Sequence, residues 1–303
     1  MPNAAVFYNC KDDILISKRF DQGRHQLNHW RMRASVFYSA LKTTEKLTMR
    51  LKDKVVVITG GAGELGTTMA ARYLAEGASV VLADLSMDAL QAASVRLGGV
   101  RIALCVADVG EEADNARVIK EAEATFGGVD VFVANAGIEG KMGPIAAQQV
   151  EDFDQVMRVN VRGPFLGIKY ALPAIARRGG GSIIILSSIA GVTGSTGVAP
   201  YSISKHAVIG LMRSAALEGA PDLVRVNTIN PAPMVGRMIR SIEEGLSPGN
   251  ADDIRAAIVA NSIPMGRYGE FEDMLGLLVL LASDESSFLT GSVYMADGGM
   301  SAR

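Results

Sequence analysis

The chain has 303 residues, of which 49% are hydrophobic and 20% charged, and 30 Lys and Arg residues against 32 Asp and Glu residues give a net charge of −2. This balance argues against a duplex nucleic-acid binder, whose affinity rests on concentrated basic residues, so we expect a small-molecule partner. No apolar run approaches the roughly 20 residues that cross a bilayer, and two cysteines without a signal segment predict a reducing cytoplasm and no membrane association.

The first 48 residues differ in composition from the rest of the chain. They carry eight Lys and Arg against four Asp and Glu, they hold the only Trp, and no helical or strand period is sustained in them. Their two histidines and one cysteine lack a fourth metal ligand, so the sequence predicts no metal site. We expect residues 1–48 to be a disordered extension, a leader or an over-assigned start, and residues 49–303 to form a single domain.

From Val55 onward, apolar runs of strand length alternate with amphipathic segments of helix length, the period of βα units. The predicted strands are residues 55–59, 79–84, 101–107, 129–134, 182–187, 224–229 and 292–296. The predicted helical segments are residues 65–76, 111–126, 150–178, 202–218 and 271–283. Because most strands are continuous Val, Ile and Leu runs, both of their faces must be buried. The pattern predicts an α/β fold: a doubly wound, Rossmann-like, mostly parallel seven-stranded sheet with helices on both faces.

A glycine-rich turn follows the first predicted strand. The segment Thr59-Gly-Gly-Ala-Gly-Glu-Leu-Gly66 lies between that strand and a helix, which is the context of a dinucleotide-binding turn. Glycines let the backbone approach a pyrophosphate, and the helix N-terminus offers unpaired N–H groups and positive partial charge. The alternative is a turn that only packs the helix against the strand.

Asp84 ends the second predicted strand. A carboxylate there can accept hydrogen bonds from the adenosine ribose hydroxyls and repel a 2′-phosphate. Neither the glycine turn nor Leu85, Ser86 and Met87 offers a Lys or Arg to that phosphate. The sequence therefore predicts that NAD(H) is preferred over NADP(H), with a helix-capping role for Asp84 as the alternative.

Tyr201 and Lys205 share one face at the start of a long predicted helix. We expect the ammonium to stabilise tyrosinate and lower the phenol pKa from its usual ~10, so that Tyr201 can exchange a proton with an alcohol or carbonyl oxygen. Ser188, at the end of the fifth strand, could donate to the same oxygen. Asn160 and the Asn-Ala-Gly segment 135–137 complete the set, and their alternatives are a core hydrogen bond and a simple turn.

With these motifs in this order, residues 50–300 resemble the short-chain dehydrogenase/reductase family. The resemblance implies that Tyr201 is the acid/base, that Lys205 lowers its pKa and bonds the nicotinamide ribose, and that Ser188 polarises the carbonyl. It implies that Asn160 holds a water that links Lys205 to solvent, and that hydride passes between nicotinamide and a secondary alcohol or ketone. It implies a homotetramer or homodimer. The implied cofactor contacts are Gly60, Gly61, Gly63, Glu64, Leu65, Gly66, Asp84, Leu85, Asp108, Val109, Asn135, Ala136, Gly137, Tyr201, Lys205, Pro231, Pro233 and Met234.

Two positions depart from the family pattern. Glu64 stands where the glycine turn commonly has its middle glycine, and Gly236 stands where a Thr commonly follows the sixth strand. We expect the Glu64 side chain to weaken cofactor affinity, because its volume and charge lie close to a diphosphate. We expect backbone groups to hold the nicotinamide amide. The departures leave open a cofactor-binding subunit or sensor with weak or no turnover.

Residues 234–264 are expected to form a substrate lid. Met234, Met238, Ile239 and Ile242 offer a flexible apolar wall, which favours an apolar alcohol or ketone. They could equally be the buried face of a short helix.

Two further alternatives concern the substrate. Glu139 and Lys141 either touch it or are solvated loop charges. Sugar-nucleotide epimerases share the spacing of Tyr201 and Lys205, but we expect those enzymes to carry a longer C-terminal substrate domain.

Overall fold

The computed structural model describes residues 6–8, 13–16, 31–33 and 49–302. Contacts divide the chain into two compact units, the first ending at Met49 and the second beginning at Arg50. Cys10, His25 and His29, the residues behind the prediction of no metal site in the first unit, lie outside the described residues.

Three short strands are described in the first unit. They are β1 (Val6–Tyr8), β2 (Asp13–Ile16) and β3 (Arg31–Arg33), which pair antiparallel in that order. The sequence analysis predicted no strand here, because runs of three or four residues are too short to display a period. That the segment is disordered, a leader or an over-assigned start stays a prediction.

The second unit is built on a seven-stranded sheet. Its strands are β4 (Val55–Thr59), β5 (Ser79–Asp84), β6 (Ile102–Val106), β7 (Val131–Ala134), β8 (Gly181–Leu186), β9 (Val224–Pro231) and β10 (Val293–Ala296). They lie in the order β6-β5-β4-β7-β8-β9-β10, and every neighbouring pair is parallel. The predicted doubly wound, Rossmann-like sheet is confirmed.

Nine α-helices are described between and after these strands. They are α1 (Glu64–Ala75), α2 (Met87–Arg96), α3 (Glu112–Phe126), α4 (Val150–Met157), α5 (Gly163–Arg177), α6 (Ala199–Gly219), α7 (Arg237–Leu246), α8 (Ala251–Ser262) and α9 (Glu272–Ala282). The sequence analysis missed α2, whose fully buried residues are only Leu90 and Ala93. It also read residues 150–178 as one helix, whereas a π-helical turn, Arg158–Arg162, separates α4 from α5.

The apolar core lies on both faces of the sheet. Val55 and Val57 of β4 face the layer formed with α3, α5 and α6. Val56 and Ile58 face the layer formed with α1, α2 and α9. Because side chains alternate along a strand, continuous Val and Ile runs fill both layers, as the sequence predicted.

The seven strands of the large sheet point the same way, so their carboxyl ends meet at one edge of the sheet. From β4 the chain moves outward to β5 and β6, and it then returns to place β7 on the other side of β4. Ligands of open α/β sheets bind in the crevice at such a reversal. Among the described residues, no helix is long and apolar enough to cross a membrane, and no group of three or more His, Cys, Asp and Glu is placed to hold a metal ion.

Candidate active site

The glycine turn joins β4 to α1 at the edge of the crevice. Gly60 has a φ of +64°, a conformation that L side chains rarely adopt, and a Cβ there would lie 3.0 Å from the Ala136 Cα atom. A Cβ at Gly66 would clash with the Gly60 carbonyl oxygen. Both glycines therefore let α1 and the segment after β7 close tightly on the turn.

The start of α1 offers free backbone donors. Gly63 is the N-cap residue and supplies no side-chain cap, and the first N–H groups of a helix have no acceptor within it. These are the amides of Glu64, Leu65 and Gly66, and they carry the positive end of the helix dipole. The free amides of the turn therefore suit a pyrophosphate, and the predicted cofactor contacts of the turn stay a prediction.

Asp84 lies beside this turn at the end of β5. Its Oδ2 atom accepts a hydrogen bond from the Ala62 N–H (3.0 Å), and its Oδ1 atom accepts one from the N–H of the exposed Leu85 (2.8 Å). Ser86, not Asp84, caps α2 by accepting from the Ala89 N–H. The helix-cap alternative for Asp84 is therefore excluded, and its carboxylate is fixed next to the glycine turn.

Asp108 and Val109 follow β6 on the same edge. The Asp108 Oδ2 atom accepts a hydrogen bond from the Arg158 guanidinium (2.7 Å), and its Oδ1 atom accepts one from the Gly110 N–H (2.8 Å). Val109 packs directly against Gly163, because a Cβ on this glycine would lie 2.9 Å from the Val109 Cγ2 atom. An ion pair thus joins the end of β6 to the π-helical turn.

The Asn-Ala-Gly segment follows β7. The Asn135 Nδ2 atom donates to the carbonyl oxygens of Thr59 (3.0 Å) and Gly60 (3.1 Å). The N–H groups of Asn135 and Ala136 donate to the Thr59 hydroxyl (3.1 and 3.2 Å). The side-chain amide of Asn135, which was predicted to contact the cofactor, therefore holds the end of β7 against the turn after β4.

Tyr201 and Lys205 lie at the start of α6, with the Lys205 Nζ atom 5.4 Å from the centre of the Tyr201 ring. The Nζ atom donates to the Leu186 carbonyl oxygen at the end of β8 (2.8 Å). Ser188 follows β8, and its hydroxyl oxygen accepts from the Ala190 N–H (3.2 Å). The Ser188 hydroxyl lies close enough to the Tyr201 phenol to lower its pKa. The three predicted catalytic residues are therefore brought together.

Burial shifts the pKa values of Tyr201 and Lys205. Burial raises the pKa of Tyr201 to about 12, the nearby Ser188 hydroxyl lowers it, and the negative charge of Glu139 raises it further. Burial also lowers the pKa of Lys205 to about 8. Burial is the largest cause of the raised phenol pKa, and the role of Lys205 in lowering that pKa stays a prediction.

Asn160 lies in the π-helical turn, 1% exposed. Its Oδ1 atom accepts from the Ile138 N–H (2.8 Å), and its Nδ2 atom donates to the Ile138 carbonyl (2.8 Å) and the Ser204 hydroxyl (3.0 Å). The Ser204 hydroxyl donates in turn to the Tyr201 carbonyl (2.7 Å). The side chain thus makes the core hydrogen bonds of the alternative interpretation, and its predicted water relay stays a prediction.

Gly137 lies close to both Asn160 and Lys205. A Cβ there would be 3.4 Å from the Asn160 Oδ1 atom and 3.6 Å from the Lys205 Nζ atom.

Sequence reasoning missed Asn230 of β9, which is buried and donates to the Ser188 carbonyl (2.9 Å). Its signal was an amide near the carboxyl end of a buried strand.

The segment after β9 begins the lid. Pro231 ends the strand, the Pro233 carbonyl accepts from the Gly269 N–H (3.0 Å), and the Val235 N–H donates to the Gly269 carbonyl (2.8 Å). Met234 pairs with Gly269 and packs against the apolar layer under α9. Two backbone hydrogen bonds thus pin the base of the lid.

The predicted lid comprises α7, α8 and their connections. Met238, Ile239 and Ile242 are half-buried, so they are neither a fully buried helix face nor fully solvated. Glu139 is only 12% exposed and pairs with Arg237 at the start of α7, 3.3 Å between Oε1 and Nη1. Lys141 is a solvated loop charge, 75% exposed and paired with Asp152.

Comparisons with known proteins agree with this arrangement. A protein-family model described as enoyl-(acyl carrier protein) reductase matches residues 60–301. The chain is 33% identical over 266 residues to levodione reductase of Leifsonia aquatica, which covers 86% of this chain and 99% of that protein. It is 32% identical over 260 residues to cyclohexanol dehydrogenase of an Acinetobacter species, which covers 85% and 98%.

Solved structures give the same result. The crystal structure of levodione reductase superposes with a TM-score of 0.81 at 33% identity, covering 84% of this chain and 99% of that one. The crystal structure of NAD+-bound xylitol dehydrogenase superposes with a TM-score of 0.77 at 30% identity, covering 81% and 98%.

Proposed function

The chain belongs to the short-chain dehydrogenase/reductase family and is an oxidoreductase, and from that premise we propose that it transfers a hydride between NAD(H) and a secondary alcohol or ketone. The observation that carries the proposal is the convergence of Ser188, Tyr201 and Lys205 at the carboxyl edge of the sheet. This set lies across the β4–β7 crevice from a turn whose free amides suit a pyrophosphate.

The roles follow from the groups present. The bound nicotinamide supplies or accepts the hydride. The Tyr201 hydroxyl gives its proton to the carbonyl oxygen in reduction, and a pKa of about 12 keeps that proton in place at neutral pH. Ser188 donates a second hydrogen bond to the same oxygen, and Lys205 holds the nicotinamide ribose from its anchor on the Leu186 carbonyl.

We propose that NAD(H) is preferred over NADP(H). Asp84 supports this preference, because its carboxylate is held at the turn by the N–H groups of Ala62 and Leu85. A 2′-phosphate would meet this negative charge, whereas ribose hydroxyls would find an acceptor. A relative of known structure is described as NAD+-bound.

We propose an apolar substrate, small enough to lie under the lid. Half-buried Met234, Met238, Ile239 and Ile242 supply the apolar wall. Two relatives are named for levodione and cyclohexanol, so cyclic ketones head the substrate panel.

We further propose a cytoplasmic homodimer or homotetramer. Phe165 of α5 is 53% exposed and Leu217 of α6 is 80% exposed, and such apolar groups on neighbouring helices favour burial against another copy. Light scattering of the purified chain gives its mass, and a monomer at micromolar concentration would contradict this part of the proposal.

The test is consumption of NADH and NADPH by the full chain with cyclic, aromatic and acyl ketones. We expect NADH to be preferred, and we expect Tyr201→Phe to lower kcat by about 10²–10⁴-fold, the usual contribution of a general acid. The control is Tyr170→Phe, which alters a phenol on the outer surface that hydrogen-bonds Glu112. Preference for NADPH would refute the role of Asp84. NADH binding without turnover on the whole panel would favour the cofactor-binding subunit instead.

A further inference from the structure

Gly236 lies at the N-cap of α7, where the lid helix begins. Its φ of 163° is extended backbone, which any residue can adopt. A glycine is therefore not needed for conformation at this position. Space is the constraint, because a Cβ on Gly236 would lie 2.7 Å from the Glu64 Oε2 atom and 2.9 Å from the Phe271 Cζ atom.

The Glu64 carboxylate fills this space and bonds the lid. Its Oε2 atom accepts a hydrogen bond of 2.9 Å from the N–H of Arg237, the first residue of α7. That N–H has no acceptor within its own helix, and the positive end of the α7 dipole favours an anion there. The two departures from the family pattern, a Glu for a glycine and a glycine for a Thr, are therefore in contact and complementary.

Arg237 reaches the opposite side of the crevice as well. Its guanidinium bonds the Glu139 carboxylate, which follows β7 and lies close enough to raise the pKa of Tyr201. The first residue of α7 is thus held by a carboxylate from the turn after β4 and by another from the loop after β7. These two segments form the walls of the crevice.

Little else in α7 and α8 is buried. The only fully buried residue of α7 is Glu243, and α8 has none. The base of the lid is pinned by backbone bonds to Gly269. A segment with so few buried apolar contacts opens at low free-energy cost, so a contact at its first residue has a large influence on that opening.

We propose that Glu64 is a positioning residue that latches α7 onto the cofactor turn, and that Gly236 is required because its missing side chain leaves room for the Glu64 carboxylate. The latch deepens the proposed function and rests on it in one respect: closure of α7 slows release of the dinucleotide. It also turns the Glu64 charge toward the N-terminus of α7, so the expectation that this charge weakens cofactor affinity is replaced by a stabilising role.

The first test uses hydrogen exchange of the α7 amides in the full chain without cofactor. We expect Glu64→Ala to speed exchange over α7 roughly five- to tenfold, the effect of losing a helix cap, while the core helix α5 stays unchanged as an internal reference. Glu64→Gln retains a carbonyl acceptor for the Arg237 N–H and should stay within about twofold of the parent. Asp88→Ala removes an exposed first-turn carboxylate from α2 and is the matched control.

The second test is a double-mutant cycle. Gly236→Ala should speed α7 exchange in the parent, and it should speed this exchange by a smaller factor in the Glu64→Ala background, where no carboxylate competes for the space. The contact with Phe271 is present in both backgrounds and cancels in the cycle. If the factors by which the two substitutions speed α7 exchange simply multiply in the double variant, the latch is overturned. Unchanged α7 exchange in Glu64→Ala would also overturn it.

The third test follows NADH release by stopped-flow fluorescence. We expect Glu64→Ala to release NADH roughly fivefold faster, with Glu64→Gln close to the parent, as expected for one lost cap. Faster α7 exchange with unchanged NADH release would overturn the link between the latch and the cofactor. If the parent bound no NADH, the proposed function would fail, whereas the exchange experiments would still decide the latch.

Discussion

Helix α6, which carries the proposed catalytic residues Tyr201 and Lys205, and the lid helices α7 and α8 are held in opposite ways. Ser202, Ser204 and Lys205 of α6 are buried, and the last two are hydrogen-bonded to neighbouring segments. In contrast, α8 has no fully buried residue, and α7 has one. On the function that we propose, the reacting groups are held in place before a substrate arrives, while the lid surface that we propose for substrate selection is free to adjust.

The largest expected effect comes from removing a bond of the fixed region. Asn160→Ala leaves the Ile138 N–H and carbonyl without their partner, and we expect a loss of about 3 kcal/mol in the free energy of unfolding. The lid counterpart, Asn250→Ala, alters the exposed N-cap residue of α8, whose side chain makes no capping hydrogen bond, and we expect a loss under about 0.5 kcal/mol. Urea unfolding measures both. Equal losses of unfolding free energy in the two variants would contradict the difference between the fixed region and the lid.

A second effect comes from the buried charge of Lys205. Its folded pKa of about 8 lies below its usual ~10.4, so between these values the unfolded chain binds more protons than the folded one. Stability contributed by this group therefore rises with pH from about 8 to about 10.4. The measurement is the difference in unfolding free energy between the parent and Lys205→Met across this range. A difference that stays flat or falls would contradict the burial of the ammonium.

The smallest effect on stability is expected in the lid. Ile242→Ala should lower the free energy of unfolding by less than about 1 kcal/mol, because the side chain is only half-buried. It should raise KM for an apolar ketone with little change in kcat, since the reacting groups lie elsewhere. Arg240→Ala, an exposed residue of the same helix, is the control. A fall in kcat with unchanged KM would show that Ile242 does not act through substrate binding.

The fold could be predicted because its signals are local. Most strands of the large sheet are short apolar runs, and the glycine turn after Thr59 identifies the first βα unit. Tyr201 and Lys205 were found in the same way, since they are separated by one helical turn. Nothing beyond neighbouring residues had to be known.

The rest depends on contacts between distant residues. The π-helical turn in the predicted helix 150–178 holds Asn160, whose partners Ile138 and Ser204 lie 22 and 44 residues away. In the sequence, Glu64 and Gly236 are two separate departures from the family pattern. Their contact becomes visible only in the three-dimensional structure. The raised pKa of Tyr201 reflects burial, which residue spacing does not report.

The most direct test of the proposed chemistry follows the hydride itself. NADH deuterated at the transferring C4 position would be supplied with the best ketone, and mass spectrometry would locate deuterium in the alcohol formed. We predict one deuterium on the carbinol carbon, with formation falling by about 10²–10⁴-fold in Tyr201→Phe. Alcohol without deuterium at that carbon, or labelled alcohol formed equally fast by Tyr201→Phe, would contradict hydride transfer assisted by Tyr201.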